Sequence, residues 1–360
     1  MRRDILLISI VLIAILSLSG CLDNFLSQNG YIQYTSVPTT ARYNISYGYH
    51  VSSTGQGKYT LRYTISLPNQ PLSGYVSSTS ILYNNYTQYP FGENSLVKWV
   101  VNGRNIEHYD VGISADITVN SFVTDLNSSN SIGIEDIPSS LVSQYCRVQS
   151  TNDSAIPLID PSNFEIVQLA NHLRGFENNA FLVAKNIFAW LKSNTSYKTH
   201  EQNNNVQPSI ETLHLKTGDC DDLSFLYISL CRAAGIPARF VRGYLVEEGA
   251  NGNYVAVPHA WAEVFVGFGK EGWIPVECAG ESNNVETEIH QHFGLEDVHH
   301  IRIFVDNGSN QSMEISLKGP SVEYQIGENV DMQSFATVNS MESSNYKKLT
   351  VYPDGRREYI

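Results

Sequence analysis

The sequence has few cysteines: there are five in 360 residues, Cys21, Cys146, Cys220, Cys231 and Cys278. No two of them form a C-x-x-C pair. Small disulfide-held domains carry many more cysteines, and structural zinc sites use closely spaced pairs. The spacing therefore excludes a disulfide-stapled fold and a zinc-finger module. An exported chain could still pair two of the four downstream thiols, and the sequence does not say which.

Positive charge is also scarce. The chain has 23 Lys and Arg against 36 Asp and Glu, which gives a net charge of −13, and no basic stripe occurs. Because nucleic-acid binding depends on neutralising phosphates with basic side chains, we expect no nucleic-acid partner. By contrast, 42% of the residues are hydrophobic and 21 are tyrosines, so the chain has ample material for a globular core.

The sequence also lacks an apolar run of the roughly 20 residues that a membrane-spanning helix needs. Its apolar run covers residues 5–18, follows Arg2 and Arg3, and ends in Leu-Ser-Gly-Cys at Cys21. This pattern predicts a signal peptide over residues 1–21. Cysteine after Leu-Ser-Gly resembles a lipobox, which predicts lipidation of Cys21, and an uncleaved signal anchor is the alternative. Either one anchors an exported chain to the outer face of the cytoplasmic membrane. A cytosolic location of the mature protein would contradict this expectation.

Residues 22–145 have the patterns of an all-β domain. Apolar and polar residues alternate over 59–67 and over 111–119, which is typical of half-buried strands. Asn102-Gly103 follows an apolar run and predicts a two-residue hairpin turn. We therefore expect an N-terminal β-sandwich that has a structural or binding role.

The periodicity becomes helical after Cys146. Apolar stripes over 161–173 and 177–192 predict two helices, and a third runs from Cys220 to a stop at Gly235. Strand patterns follow at 238–245, 259–266 and 273–277. The sequence thus predicts an α+β core over residues 146–305, with the cysteine-bearing helix packed on an antiparallel sheet. Residues 306–360 are expected to form a short β tail that ends in a hairpin at 353–355.

Cys220 lies where a nucleophile could be activated. Asp219 is the predicted N-cap, so the amides of Asp219, Cys220 and Asp221 surround the helix N-terminus, where they could hold an oxyanion. The helix dipole favours a thiolate there, but the charges of Asp221 and Asp222 raise the thiol pKa. A cationic partner is therefore needed. Cys231 lies on the apolar stripe and is expected to be a packing residue.

His259 is the predicted partner. It opens the strand pattern 259–266, and a neutral imidazole there could take the thiol proton and form an ion pair with the thiolate. A third group should orient the imidazole. Glu263 lies about 13 Å further along the same strand, whereas Glu277 ends the neighbouring strand. The sequence therefore predicts a Cys220–His259–Glu277 triad.

Three segments carry a resemblance to a known family: "TGDCDDLSFLYISLCRAAGIPARFVRGY", "PHAWAEVFV" and "GWIPVE". Over about residues 160–305 the sequence resembles the transglutaminase-like superfamily of papain-related cysteine enzymes. The resemblance implies that Cys220 is the nucleophile, His259 the base and Glu277 the orienting carboxylate. The family usually has aspartate followed by proline where this chain has Glu277-Cys278.

Cys278 allows more than one interpretation. It is either a packing residue or a disulfide partner, conceivably of Cys146, and a bond to Cys220 would switch the enzyme off.

The shared mechanism that the resemblance implies is acyl transfer through a thioester. We expect a cysteine peptidase or amidase that needs no cofactor and acts on a protein or peptide outside the cytoplasm. One alternative is a cross-linking transglutaminase, in which lysine instead of water resolves the thioester. The other is an envelope binding protein whose transglutaminase-like domain is degenerate, an alternative that the unusual Glu277 favours.

A metal site is the rival interpretation of one further stretch. Several ligand-type side chains lie within eleven residues of each other: His290, His292, Glu296, Asp297, His299 and His300. Their spacing matches no recognisable zinc motif, so we expect no specific metal there. Elemental analysis for zinc separates the two interpretations.

Overall fold

The computed structural model describes residues 33–70, 74–199, 206–249, 251–280, 284–352 and 357–359. The expected signal peptide with Cys21 and the expected turn at 353–355 lie outside these residues. Within the described part of the chain, no helix has the length and hydrophobicity to cross a membrane.

Strands dominate the two ends of the chain, and the α-helices lie between them. The strands are β1 (Gln33–Gly55), β2 (Lys58–Ser66), β3 (Gly74–Leu82), β4 (Tyr86–Phe91), β5 (Asn94–Arg104), β6 (Glu107–Asn120), β7 (Phe122–Val123), β8 (Ser196–Tyr197), β9 (Thr217–Gly218), β10 (Ala238–Glu248), β11 (Tyr254–Phe265), β12 (Trp273–Val276), β13 (Leu295–Glu296), β14 (His300–Val305), β15 (Ser321–Tyr324), β16 (Glu328–Val351) and β17 (Arg357–Tyr359). The α-helices are α1 (Ser139–Tyr145), α2 (Phe164–Arg174), α3 (Ala180–Asn194), α4 (Ser209–Leu215), α5 (Cys220–Ala233), α6 (Val285–His292) and α7 (Asn310–Leu317).

One large antiparallel sheet runs through the molecule in the order β14-β10-β11-β16-β1-β6-β3, with β12 on β11 and β17 on β16. A second sheet has the order β15-β2-β5-β4. Helices α2 to α5 pack together, and α5 also packs on β10 and β11. The predicted α+β fold, with the cysteine-bearing helix on an antiparallel sheet, is confirmed.

The β-rich half buries its apolar residues between the two sheets. Tyr43 and Tyr47 of β1 and Ile113 of β6 form one core with Leu61 of β2 and Trp99 of β5. The alternating patterns at 59–67 and 111–119 correspond to β2 and β6. Alternation places every second side chain on one face, which explains why these strands pack as a sandwich.

The C-terminal segment is not a separate tail. Strand β16 pairs with β1 along its length, from Gln33 opposite Val351 to Gly55 opposite Glu328. It also meets β11 through one pair, Val255 with Thr337. Residues expected as a tail therefore complete the N-terminal sheet and join it to the core, because antiparallel pairing can bring together strands that are remote in sequence.

The predicted hairpin at Asn102-Gly103 is wrong. Strand β5 continues through both residues and ends at Arg104, and Asn105 has the positive φ of 64° that turns the chain. Gly103 lies opposite Tyr59 in the β2–β5 ladder, and a Cβ at position 103 would lie 2.1 Å from the Tyr59 ring. The glycine therefore makes room for an aromatic ring on the neighbouring strand.

Helix α5 is the centre of the core. All its residues from Asp222 to Arg232 are buried, including the predicted packing residue Cys231. The predicted stripe of α3 is buried as well, and it consists of Ala180, Val183, Ala184, Ile187 and Leu191. Because α5 is enclosed on every side, its N-terminus is held rigidly against the sheet.

Candidate active site

A capping box fixes the start of α5. The Asp219 carboxylate accepts hydrogen bonds from the amides of Asp221 at 3.1 Å and Asp222 at 3.4 Å. In return, the Asp222 carboxylate accepts from the Asp219 amide at 3.0 Å and from the Gln207 amide at 2.6 Å. These bonds satisfy amides that a helix start leaves unpaired, so Cys220 has a fixed position in the first turn.

The capping box also changes the expected oxyanion site. Of the three amides predicted to surround it, those of Asp219 and Asp221 donate to carboxylates within the box. Among the described residues, the Cys220 amide alone of the three donates to no protein acceptor. The expectation for Asp219 and Asp221 is therefore wrong, because their donors are already used, and the Cys220 amide remains as the backbone donor.

Strand β11 brings His259 to the same place. The strand begins at Tyr254, so His259 lies inside it instead of opening it as predicted. Strand β12 pairs with Ala262–Phe265 and leaves the Ala260 amide unpaired on that side, and this amide lowers the pKa of the Cys220 thiol. Cys220 therefore lies close to the backbone of the residue that follows His259.

Glu277 holds the imidazole from the other side. Its Oε2 lies 2.6 Å from His259 Nε2, and its Oε1 accepts from the Ala279 amide at 2.7 Å. Burial opposes ionisation of this carboxyl, but the charges and hydrogen bonds of His259 and His300 lower its pKa well below the usual range. Glu277 is therefore a carboxylate, and His259 Nδ1 is the ring nitrogen that it leaves free.

The Cys220 thiol is held in its neutral form. Burial raises its pKa most, the charges of Asp221 and Asp219 raise it further, and the hydrogen bond from Ala260 only partly opposes them. The helix start does not ionise this thiol, because burial and the acidic side chains there outweigh the favourable dipole. Attack by the sulfur therefore requires a base to take its proton.

The sequence reasoning missed a second histidine at the site. It is His300, at the start of β14. Its Nε2 lies 3.4 Å from Glu277 Oε2, and its Nδ1 lies 2.8 Å from Asp297 Oδ1. Burial alone would lower its pKa, but Asp297 and Glu277 raise the pKa to about 10. His300 is therefore a largely buried cation, 12% exposed, that fixes the carboxylate of Glu277. The sequence shows its ligand-type character but not that β14 lies beside β10.

The raised pKa of His300 predicts a loss of stability at high pH. The folded-state pKa of about 10 lies above the unfolded value of about 6.5, so this stabilisation is complete below about pH 6.5 and is lost as pH rises through about 10. The difference in unfolding free energy between wild type and His300→Asn should therefore shrink across that window in urea titrations. His299→Asn, whose ring is more exposed, is the control, and we expect a difference below about 1 kcal/mol at both ends of the window. A constant His300→Asn effect would contradict the assignment.

A buried ion network lies behind His259. Trp261 stacks on the His259 ring at 5.8 Å and donates to Glu296, which pairs with Arg302. Arg302 also pairs with Glu263 at 2.7 Å, and Glu263 pairs with Arg239 at 2.6 Å. Glu263 therefore neutralises two buried guanidinium groups and makes no contact with the imidazole.

Removing the charge of Glu263 should destabilise the fold. In Glu263→Gln, Arg239 and Arg302 lose a buried counter-ion, and we expect a loss of about 3 kcal/mol in the free energy of unfolding. Glu93 provides the control, because it pairs with the same Arg239 while its side chain is 53% exposed. Glu93→Gln should cost less than about 1 kcal/mol. Equal urea midpoints for the two variants would contradict this view of the network.

Most of the candidate metal ligands do not converge. His290 and His292 lie in the last turn of α6, and Glu296 is engaged by Arg302. Among the described residues, the ligand atoms that do converge belong to His259, Glu277 and His300, within 4.8 Å of one another. Two ligands about 2.1 Å from a tetrahedral zinc lie roughly 3.4 Å apart. The 2.6 Å separation of His259 and Glu277 is instead that of a hydrogen bond.

The four described cysteines, Cys146, Cys220, Cys231 and Cys278, are free thiols. Cys278 is buried, and its sulfur lies 3.7 Å from the Val276 carbonyl oxygen. Burial raises its pKa to about 12. Of the two interpretations of Cys278, the structure contains the packing residue and neither of the disulfides considered.

The sequence of the core is similar to that of known proteins. Residues 167–278 match the family model of the transglutaminase-like superfamily, so the chain contains a transglutaminase-like domain. The "Uncharacterized protein YebA" of Bacillus subtilis (strain 168) is 33% identical over 104 residues, which cover 26% of this chain. The chain spans only 13% of the length of that relative.

A solved structure shares the fold. A "Putative Cysteine Protease" from Cytophaga hutchinsonii superposes with a TM-score of 0.55 at 13% identity, over 87% of this chain and 95% of that one. The periplasmic domain of TgpA from Pseudomonas aeruginosa has a TM-score of 0.35 at 13% identity, over 67% of this chain and 86% of that one. The Cytophaga superposition covers both the β-rich half and the core, so the similarity in fold extends beyond the domain that the family model matches.

Proposed function

We propose that the protein is a thiol-dependent acyl-transfer enzyme, a cysteine peptidase or amidase that uses Cys220, His259 and Glu277. The observation that carries the proposal is the hydrogen-bonded arrangement around His259. Glu277 Oε2 lies 2.6 Å from His259 Nε2, and the amide of the next residue, Ala260, lowers the pKa of the Cys220 thiol. A nucleophile, a base and an orienting carboxylate are the groups that acyl transfer requires.

The acylation step follows from the charges. As the neutral thiol attacks the amide carbonyl carbon, His259 Nδ1 takes the thiol proton, and the oxyanion forms beside the Cys220 amide. The ionised Glu277 stabilises the imidazolium. The carbon–nitrogen bond then breaks, the amine leaves with the proton from His259, and a thioester remains on Cys220.

Deacylation reverses these roles. His259 takes a proton from water as the water oxygen attacks the thioester, and the carboxylic acid and the free thiol are released. A lysine amine in place of water would give a cross-linking transglutaminase. We prefer hydrolysis, because no described feature argues for a dedicated amine site.

The Glu277-Cys278 departure favours a third function, a binding protein whose site is degenerate. The hydrogen bond between Glu277 and His259 argues against a degenerate site, because the longer glutamate still lies 2.6 Å from His259 Nε2. A relic of the site would have no need of that contact.

An acyl-enzyme trap tests the proposal. A soluble fragment that starts after Cys21 is mixed with a peptide p-nitrophenyl ester and examined by intact mass spectrometry. We expect one acyl group on Cys220, which is lost to water and absent in Cys220→Ser. Faster loss on adding a lysine analogue, with formation of an amide, would assign cross-linking instead. A chain that is never acylated would contradict the proposal and favour the binding function.

We further propose that the enzyme acts outside the cytoplasm, anchored by residue 21. The Leu-Ser-Gly-Cys motif supports this. Metabolic labelling with palmitate should mark the wild type and spare Cys21→Ala, and an unlabelled wild type would contradict lipid anchoring.

A further inference from the structure

A cavity of about 430 Å³ lies where the β-sandwich meets the core. Its walls come from β1, β2, β10, β11, β14, α7 and β16, so both halves of the molecule build it. Five aromatic residues contribute to the lining: Tyr49, Tyr63, Tyr244, Phe304 and Phe335. Pockets of this size that combine apolar and aromatic walls with placed polar groups are typical ligand sites.

Two cations, Arg242 and Lys318, line this cavity. The Nη1 of Arg242 donates to the carbonyl of Ser316 at 2.8 Å. Within the described ranges, no carboxylate lies at ion-pair distance from this guanidinium, whereas the other cation of the lining, Lys318, is paired with Asp153 and Glu314. A half-buried guanidinium keeps several donors in a fixed fork, which suits a carboxylate.

The cavity reaches the strand pair that carries His259. Arg242 lies opposite Ala260 in the β10–β11 ladder, and the Ala260 amide lowers the pKa of the Cys220 thiol. Facing residues of antiparallel strands are about 5 Å apart at Cα. Pro258, which precedes His259, also lines the cavity, and Arg242 acts electrostatically on Asp221.

We infer that this cavity binds a carboxylate of the peptide substrate and that Arg242 determines specificity for it. The inference rests on the proposed function, because the carboxylate is held beside the bond that Cys220 would attack. The group bound is either an acidic side chain or a free C-terminal carboxylate. The tyrosines provide apolar contacts for the rest of that residue, and Arg242 provides the charge and the paired hydrogen bonds.

Binding to a Cys220→Ser chain tests the inference without requiring turnover. Three short fluorescein-labelled peptides are compared by polarisation: one has glutamate and an amidated C-terminus, one has glutamine and a free C-terminus, and one has glutamine and an amidated C-terminus. We expect one of the two anionic peptides to bind at least about tenfold more tightly than the neutral peptide. The anionic peptide that binds more tightly shows whether the site takes an acidic side chain or a C-terminal carboxylate.

The same peptides are then measured with Arg242→Met added. We expect the ratio of anionic to neutral affinity to fall towards one, while Arg62→Met, which removes an exposed arginine of β2, leaves the ratio unchanged. Equal binding of all three peptides would overturn the inference. So would an equal loss for all three in Arg242→Met, because that result assigns Arg242 only the role of holding α7. A chain that binds anionic peptides but is never acylated would refute the proposed enzyme and leave the carboxylate site standing.

Discussion

Replacing Cys220 by serine is expected to reduce turnover by at least about 10³-fold while leaving the fold intact. Serine has nearly the same shape, so the capping box and the packing of α5 should survive. Its hydroxyl is a much weaker acid than a thiol, and His259 cannot easily take its proton. The check is the rate constant on the substrate of the acyl-enzyme trap, together with the melting temperature.

Cys146→Ser is the matched control for this variant. Cys146 is also a partly buried thiol, and burial raises its pKa to about 11, but it lies at the end of α1. We expect it to keep turnover within about threefold of wild type, since exchange of a residue outside the site changes little. A Cys220→Ser chain that is as active as Cys146→Ser would remove Cys220 from the mechanism.

Glu277→Gln should lower kcat by about 10² to 10⁴-fold with a much smaller effect on KM. Glutamine retains the length of the side chain but has no charge to stabilise the imidazolium of His259. It also leaves the largely buried cation His300 without one of its two carboxylates. Transition-state stabilisation should therefore be lost, while substrate binding is largely kept.

The Glu277→Asp variant separates the effect of the carboxylate charge from the effect of side-chain length. Aspartate keeps the charge but is one methylene shorter, so the 2.6 Å hydrogen bond to His259 must lengthen or the strand must shift. We expect a loss of about tenfold in kcat, between wild type and Glu277→Gln. If Glu277→Gln were as active as wild type, the carboxylate would have no role in orienting His259.

The sequence predicted those parts of the protein that local patterns determine. Asp219, Cys220 and the apolar stripe of α5 lie within one helix, whose period and cap are visible in the sequence. His259 and Glu277 lie in strand patterns close to that helix in the chain. The prediction erred where one residue has two physical uses, since Gly103 is a turn former in the sequence but makes room for Tyr59 in the structure.

The remaining features depend on contacts between distant segments. Strands β16 and β1 pair although they lie near opposite ends of the described chain. The periodicity of the sequence does not predict which distant strands pair. His300 reaches Glu277 because β14 lies next to β10, and Arg242 lines a cavity whose other walls come from both ends of the chain. Which amides remain free at the start of α5 depends on the reciprocal bonds of Asp219 and Asp222.

The central claim is that His259 serves as the base for Cys220, and alkylation by iodoacetamide tests it most directly. Mass spectrometry measures the alkylation rate of each cysteine of the soluble fragment across a pH series. The wild type is compared with His259→Ala. Burial and the neighbouring acids raise the pKa of the Cys220 thiol, so its thiolate is rare at neutral pH without a base. We predict that His259→Ala slows alkylation of Cys220 at least about tenfold at neutral pH and leaves the rate at Cys146 unchanged. Equal rates at Cys220 with and without the imidazole would contradict the claim.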